Sequence, residues 1–165
     1  MPDNRIRRAI PSDVDSMVAL VHALANYEKA PEECHLTAEQ LRTALFGDSP
    51  ALFGHVAEAD GKVVGLALWF LNFSTWDGVH GIYLEDLFVQ PAHRGSGLGK
   101  ALLRALAEEC VRHGYSRLQW SVLNWNQPSI DFYRALGALP LSEWTVFRLA
   151  DEPLTALGRA GLTSA

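Results

Sequence analysis

Three glycines on alternate positions, directly before an amphipathic run, constrain the fold of this chain more than any other feature. The segment reads His93-Arg94-Gly95-Ser96-Gly97-Leu98-Gly99-Lys100. It follows a β-branched and aromatic run from Ile82 to Val89, and apolar residues then recur at helical spacing up to Gly114. This order predicts a strand, a loop and a helix whose first backbone N–H groups point at one anion. We therefore expect a phosphate to bind at this loop.

Two familiar phosphate loops do not fit these residues. A Walker A loop requires glycine at position 94 and serine or threonine at position 101, where this chain has Arg94 and Ala101. A dinucleotide fingerprint requires glycine in place of Lys100 and an acidic residue roughly 20 positions later, near Gln119. These departures argue against a nucleoside triphosphate site and against a nicotinamide site.

Composition narrows the class of protein and its partners. The chain has 165 residues, of which 48% are hydrophobic and 20% charged, and it carries a net charge of -5 without a block of like charge. One globular domain is expected, with no nucleic-acid partner.

The longest apolar stretch, around Val63 to Phe73, is too short to span a membrane, and no signal peptide precedes it, so the prediction is a cytoplasmic protein. Cys34 and Cys110 lack metal-ligand or disulfide spacing, which predicts free thiols and no metal site.

The predicted element order mixes helices and strands without a strict βαβ repeat. The first helix follows Ser12-Asp13 and ends near Tyr27. Thr37 and Gln40 form a capping box, so a second helix begins at Ala38 and stops before Gly47. Further elements are expected as a strand at Ile6, two strands between Leu52 and Phe73 joined at Asp60-Gly61, a strand from Leu118 to Leu123, a helix from about Pro128 to Leu136, and a strand from Trp144 to Leu149. The expected domain covers residues 1–150, and the tail at 151–165 is weakly specified.

The pattern Arg94-x-x-Gly97-x-Gly99 resembles the pyrophosphate-binding motif of the GNAT superfamily of N-acetyltransferases, which use acetyl coenzyme A. The segments Leu24 to Glu28, Tyr83 to Val89 and Asn124 to Tyr133 resemble the diamine branch, which includes spermidine/spermine and thialysine acetyltransferases. The likeness extends from about Ile6 to Leu149. It implies an α+β, three-layer acyl-coenzyme A N-acyltransferase fold, with a mixed, mainly antiparallel sheet flanked by helices. Relatives are commonly homodimers, so a homodimer is expected.

The resemblance also assigns a set of residues to acetyl coenzyme A. In the family the strand before the loop is bulged and splayed, and its backbone meets the thioester and the pantetheine arm. The residues expected to bind the cofactor are Phe88 and Val89 through main chain, Arg94, Gly95, Ser96, Gly97, Leu98, Gly99 and Lys100 in the loop, and Asn126, Ser129 and Tyr133 beyond it.

Amide formation from a thioester requires a neutral amine, stabilisation of charge on the carbonyl, and a proton for the departing thiolate. Tyr133 is the predicted general acid because a phenol with a pKa near 10 stays protonated at neutral pH. Glu85 is the predicted base, although an ordinary glutamate with a pKa of about 4.3 is a weak one, so the role requires partial burial or a water relay. The predicted amine-binding residues are Tyr27, Glu28, Trp76, Glu85 and Asp86.

The acceptor amine is left open by one departure from the animal polyamine enzymes. Those enzymes carry an acidic residue two positions before the tryptophan that matches Trp76, where this chain has Ser74. A site with one anion fewer attracts a polyamine less strongly, so thialysine, another small diamine and an amino-acid amine all remain candidates. Two further hypotheses are an acetyltransferase for peptide, protein or antibiotic amines, and a non-catalytic acyl-coenzyme A sensor. The presence of both Glu85 and Tyr133 argues against the sensor.

Overall fold

Five strands form one sheet in the order β1-β2-β3-β4-β5 among the residues that the structure describes. The computed structural model describes residues 3–162, and the chain divides into two units, one ending at Leu123 and the other beginning at Asn124. The strands all belong to the first unit: β1 (Ile6–Arg8), β2 (Phe53–Ala59), β3 (Lys62–Ser74), β4 (Val79–Val89) and β5 (Leu118–Gln119). Neighbouring strands are antiparallel except β4 and β5, which are parallel. The predicted mixed, mainly antiparallel sheet is therefore confirmed.

The first unit also contains the α-helices α1 (Val14–Tyr27), α2 (Ala38–Phe46) and α3 (Leu98–His113). All three match their predicted bounds. Thr37 caps α2 as expected: its Oγ1 accepts a hydrogen bond from the Gln40 amide at 3.2 Å, and the Gln40 side chain accepts one from the Thr37 amide at 3.0 Å. Gly114, at φ +68°, ends α3 in the left-handed conformation that glycine adopts without strain.

Helices cover both faces of the sheet, which gives the expected three layers. On one face α1 and α2 pack their buried residues, among them Met17 and Leu41, against Val56, Leu66 and Leu68 of the sheet. Successive strand residues point to opposite faces of the sheet. His55 on β2, next to Val56, therefore lies on the other face, where its Nε2 is 3.9 Å from Oε1 of Glu109 on α3. The layers hold the end of α1, the second half of β4 and the start of α3 in fixed positions.

The second unit contains α4 (Gln127–Ala135) and α5 (Asp151–Leu162). Two predictions for the C-terminal part of the chain are wrong: β5 ends at Gln119 instead of Leu123, and no strand forms between Trp144 and Leu149 among the residues that the structure describes. Alternating apolar residues form a strand only beside a partner strand, and none pairs with this segment within residues 3–162. Its side chains are exposed instead, with Phe147 at 92%. The tail expected to be weakly specified is helical to Leu162, and residues 163–165 lie outside the described part.

No helix within residues 3–162 is both long enough and apolar enough to cross a membrane. The same residues hold no group of three or more metal-ligating side chains arranged to bind a metal ion.

Candidate active site

A β-bulge interrupts β4 at Glu85. The register with β3 pairs Leu68 with Asp86 and Trp69 with Leu84, so Glu85 is an extra residue without an opposite partner. A bulge bends its strand and changes the direction of the neighbouring side chains. The bulge that the family resemblance implied is thus present, and it lies at the predicted base.

Beyond the bulge, the outer edge of β4 is unpaired among the residues that the structure describes. The parallel pairing with β5 covers only Ile82 and Tyr83. Within residues 3–162, no strand pairs with the outer edge of residues 84–89. An unpaired strand edge offers backbone N–H and C=O groups to an extended ligand. This stretch contains Phe88 and Val89, the residues expected to bind through main chain.

The loop after β4 forms an open cradle at the start of α3. Gly95 and Gly97 have φ of +80° and +82°, in the left-handed region that favours glycine. A β-carbon placed on either residue would meet no atom within 4 Å. Gly97 is the N-cap of α3 and has no side chain to satisfy the first N–H groups of the helix. The free space and the helix N-terminus together fit a phosphate group of coenzyme A.

Hydrogen bonds to other parts of the protein fix the loop. Arg94 donates from Nε to the Val89 carbonyl oxygen at 3.1 Å, and Ser96 donates from Oγ to the His93 carbonyl oxygen at 2.6 Å. Arg5 donates from Nη1 to the Ser96 carbonyl oxygen at 3.0 Å. Its Nη2 forms an ion pair with Oδ2 of Asp3 at 2.6 Å. The first amides of α3 have no partner within the helix, so these main-chain groups are placed to meet a phosphate. Sequence reasoning missed Arg5, since a contact across 91 positions leaves no local pattern.

Three carboxyl groups influence one another beside the bulge. Burial, together with the charges of Glu85 and Glu28, raises the pKa of Asp86 from its ordinary 3.8 to about 6. Burial also raises the pKa of Glu28. Glu28 follows the last residue of α1, so the helix end and the bulge bring these side chains together. Their negative potential attracts a cationic amine.

Glu85 itself is exposed. Of the two conditions that its role as a base required, partial burial is therefore not met, and a relay through water is the one that is left. The desolvated carboxyl is that of Asp86, which the sequence predicted only as an amine-binding residue. Burial of one of two adjacent acidic residues cannot be read from their spacing, because a bulge changes which face each side chain occupies.

Tyr27 and Trp76, two of the predicted amine-binding residues, occupy different places. The Tyr27 ring lies 4.8 Å from the guanidinium carbon of Arg94, so it contacts the phosphate loop. Trp76 lies in the turn between β3 and β4 and is 92% exposed. Seven positions of β4 separate Val79, at the start of the strand, from Asp86, which is roughly 23 Å of extended chain. Within one chain the fold does not bring Trp76 to Glu28 and Asp86.

Ser74, the residue that departs from the animal polyamine enzymes, has a structural contact at the same turn. It is 5% exposed, and its Oγ accepts a hydrogen bond from the Asp77 amide at 3.1 Å. The serine hydroxyl therefore stabilises the turn before Trp76. A carboxylate at this buried position would have to turn out toward solvent or lose its hydration shell.

The predicted residues of the second unit lie on and around α4. Asn126 is buried and caps the helix, because its Oδ1 accepts a hydrogen bond from the Ser129 amide at 3.4 Å. Tyr133 is half-buried, and its ring centre lies 5.5 Å from that of Phe132. The roles of Asn126, Ser129 and Tyr133 toward the cofactor stay predictions.

Comparison with known proteins agrees with this geometry. A family model described as "Acetyltransferase (GNAT) family" matches residues 19–138. Thialysine N-epsilon-acetyltransferase of Bos taurus is 37% identical over 163 residues, covering 92% of this chain and 95% of the relative. L-ornithine N5-acetyltransferase of Arabidopsis thaliana is 28% identical, covering 96% of this chain and 90% of the relative. An integron cassette protein of V. cholerae has a solved structure that superposes with a TM-score of 0.79 at 25% identity, over 93% of this chain and 96% of that one. The chain belongs to the GNAT acetyltransferase family.

Proposed function

We propose that this enzyme transfers the acetyl group of acetyl coenzyme A directly to the side-chain amine of a small amino acid such as thialysine or ornithine. The observation that carries the proposal is the arrangement of the glycine cradle at the N-terminus of α3. The cradle follows a strand that has a half-buried acidic residue and an outer edge unpaired within residues 3–162. The cradle suits a diphosphate, the edge suits an extended arm, and the acidic residues suit an ammonium group.

Two elements of the first unit would bind different parts of acetyl coenzyme A. In this proposal the amides at the start of α3, from Leu98 to Lys100, bind the diphosphate. The unpaired edge of β4, at Phe88 and Val89, binds the pantetheine arm through backbone hydrogen bonds. When bound, the coenzyme supplies a thioester, which is an acyl group activated toward amines.

The acceptor amine would be recognised and deprotonated at the bulge. Glu28 and Asp86 attract the ammonium form, since Asp86 with a pKa of about 6 is ionised at neutral pH. Only the neutral amine is a nucleophile, so a proton must leave before attack, and Glu85 takes it through water. Tyr133 is the proposed acid: it donates the phenolic proton to the departing thiolate, a role supported by its match to the family motif.

The names of two relatives support the choice of an amino acid over a polyamine. They specify acetylation of thialysine at Nε and of ornithine at N5, which are side-chain amines of amino acids.

We also propose that the enzyme is a homodimer. The second unit exposes apolar side chains that a partner would cover, including Leu139 at 83%, Val146 at 87% and Phe147 at 92%. Contiguous exposed apolar surface is characteristic of protein interfaces, and this part of the chain supplies several such side chains. Light scattering coupled to size-exclusion chromatography should give twice the chain mass of 18.2 kDa. A mass of one chain at micromolar concentration would contradict the proposal.

A screen of acceptor amines tests the proposed activity. Coenzyme A release from acetyl coenzyme A is measured with thialysine, ornithine, lysine, putrescine, spermidine and a lysine-containing peptide, beside a control without amine. We expect thialysine and ornithine to give the highest kcat/KM, with products acetylated on the side-chain amine by mass spectrometry. A preference for spermidine would contradict the interpretation of Ser74, and a preference for the peptide would favour a protein acetyltransferase. Release equal to the amine-free control for every acceptor would overturn the proposed function.

A further inference from the structure

Two aromatic rings lie against the guanidinium group of Arg94. Its central carbon lies 4.8 Å from the centre of the Tyr27 ring and 5.4 Å from that of Phe88. Both distances lie within the roughly 6 Å over which an aromatic face attracts a cation. The Nε of the same side chain donates to the Val89 carbonyl oxygen at 3.1 Å. Arg94 is therefore held by groups from α1 and from β4.

The two rings belong to different parts of the site. Phe88 is 5% exposed and is part of the core cluster beneath α1 and α2. Tyr27 is half-buried at the last position of α1 and packs on the edge of the same cluster. The next residue, Glu28, is one of the charges that raise the pKa of Asp86. The end of α1 thus reaches the acidic side of the site through Glu28 and the phosphate loop through Tyr27.

We propose that Tyr27 is a positioning residue for the binding of coenzyme A. Its ring holds the Arg94 guanidinium, and through it the loop at 95–99 keeps the conformation that presents its amides. Glycine has more backbone freedom than any other residue, so the conformation of a loop with Gly95, Gly97 and Gly99 depends on how its ends are fixed. A loop that is already in its binding conformation loses less entropy when the ligand arrives. The inference rests on the proposed function, because it takes the diphosphate of coenzyme A as the ligand of this loop.

Calorimetric titration with coenzyme A tests the role of the ring. We expect Tyr27→Leu to weaken binding about twofold to fivefold, the range of a cation–aromatic contact near a protein surface. Tyr27→Phe keeps the ring and should bind about as tightly as the wild type. Because Tyr27 acts through Arg94, Tyr27→Leu should cause no further loss when it is added to Arg94→Met.

Amide hydrogen exchange supplies a second readout that does not involve turnover. In the free protein, Tyr27→Leu should speed exchange at residues 95–99 and leave the protection of β3 unchanged. Retained protection of β3 shows that the variant is folded. Should Tyr27→Leu lose that protection, Tyr27→Met, which fills more of the space against the core cluster, takes its place in both experiments.

The possible outcomes separate this inference from the proposed function. If wild-type protein binds coenzyme A and Tyr27→Leu binds it equally well, the inference is wrong and the proposed function stands. An equal loss from Tyr27→Leu in the wild-type and Arg94→Met backgrounds would also overturn it, since the ring would then act independently of Arg94. Absence of coenzyme A binding by the wild type overturns both.

Discussion

Replacing Asp86 with asparagine should make the protein more stable and less active. The carboxyl group is ionised at neutral pH in a place where burial and the charges of Glu85 and Glu28 disfavour ionisation. A pKa of about 6 in the folded protein, against 3.8 in the unfolded chain, corresponds to about 3 kcal/mol of destabilisation once the group is ionised in both states. The asparagine side chain carries no charge, so Asp86→Asn removes this destabilisation.

The pH dependence follows from the sign of this difference. Below the unfolded value of 3.8, Asp86 is protonated in both states and costs no stability. As the pH rises from 3.8 toward 6, the unfolded chain releases its proton before the folded protein does, and stability falls. The stabilisation by Asp86→Asn should therefore be about 1.5 kcal/mol at pH 5 and about 3 kcal/mol at pH 7.5, as upper estimates.

Urea unfolding of the wild type and of Asp86→Asn at these two pH values measures the difference. Asp48→Asn is the matched control, because Asp48 is exposed and the same substitution there should change the free energy of unfolding by less than about 0.5 kcal/mol. Acetylation of the amine should fall in Asp86→Asn. Protonation of Asp86 should lower the activity of the wild type below about pH 6, and this decline should be absent from the variant. Equal or lower stability of Asp86→Asn at both pH values, together with unchanged turnover, would refute this account of the site.

Three further substitutions test other parts of the account. Gly97→Val places a side chain in the cradle at a φ of +82°. Calorimetry should therefore show at least a tenfold loss of coenzyme A affinity, and urea unfolding should show a stability loss of about 1–2 kcal/mol. Unchanged affinity would mean that the phosphate binds elsewhere. Tyr133→Phe should lower kcat by roughly 10²–10⁴ with a much smaller change in the KM for acetyl coenzyme A, and steady-state kinetics with normal turnover would eliminate Tyr133 as the acid. Thr37→Ala removes the cap of α2 and should destabilise the protein by about 1 kcal/mol in thermal unfolding without altering kcat/KM. A change in kcat/KM would show that α2 affects the active site.

The elements with local signals were predictable from the sequence. The capping box of α2 specifies its own hydrogen bonds, and the Asp60-Gly61 turn with positive φ at both residues joins β2 to β3 as expected. The glycine loop before α3 also follows directly from residue types. In each case the decisive contacts form between residues close in the chain, so a short window contains the necessary information.

Features that depend on distant parts of the chain were not predictable in the same way. The alternating residues from Trp144 to Leu149 indicated a strand, and a strand needs a neighbour that the alternation does not specify. The burial of Asp86 depends on the bulge at Glu85 and on the end of α1, nearly sixty positions earlier. The contact of Tyr27 with Arg94 likewise joins two elements that only the sheet brings together.

Binding of the acyl donor's diphosphate by backbone amides at the start of α3 is the step on which the other proposed roles depend. Calorimetric titration of the wild-type protein with acetyl coenzyme A and with acetyl-pantetheine, which has the same thioester arm and no diphosphate, measures the contribution of the missing part. We expect saturable binding of acetyl coenzyme A and an affinity for acetyl-pantetheine at least a hundredfold weaker, about 2.7 kcal/mol. Equal affinity for the two compounds, or no saturable heat with acetyl coenzyme A, would show that these amides do not hold the donor.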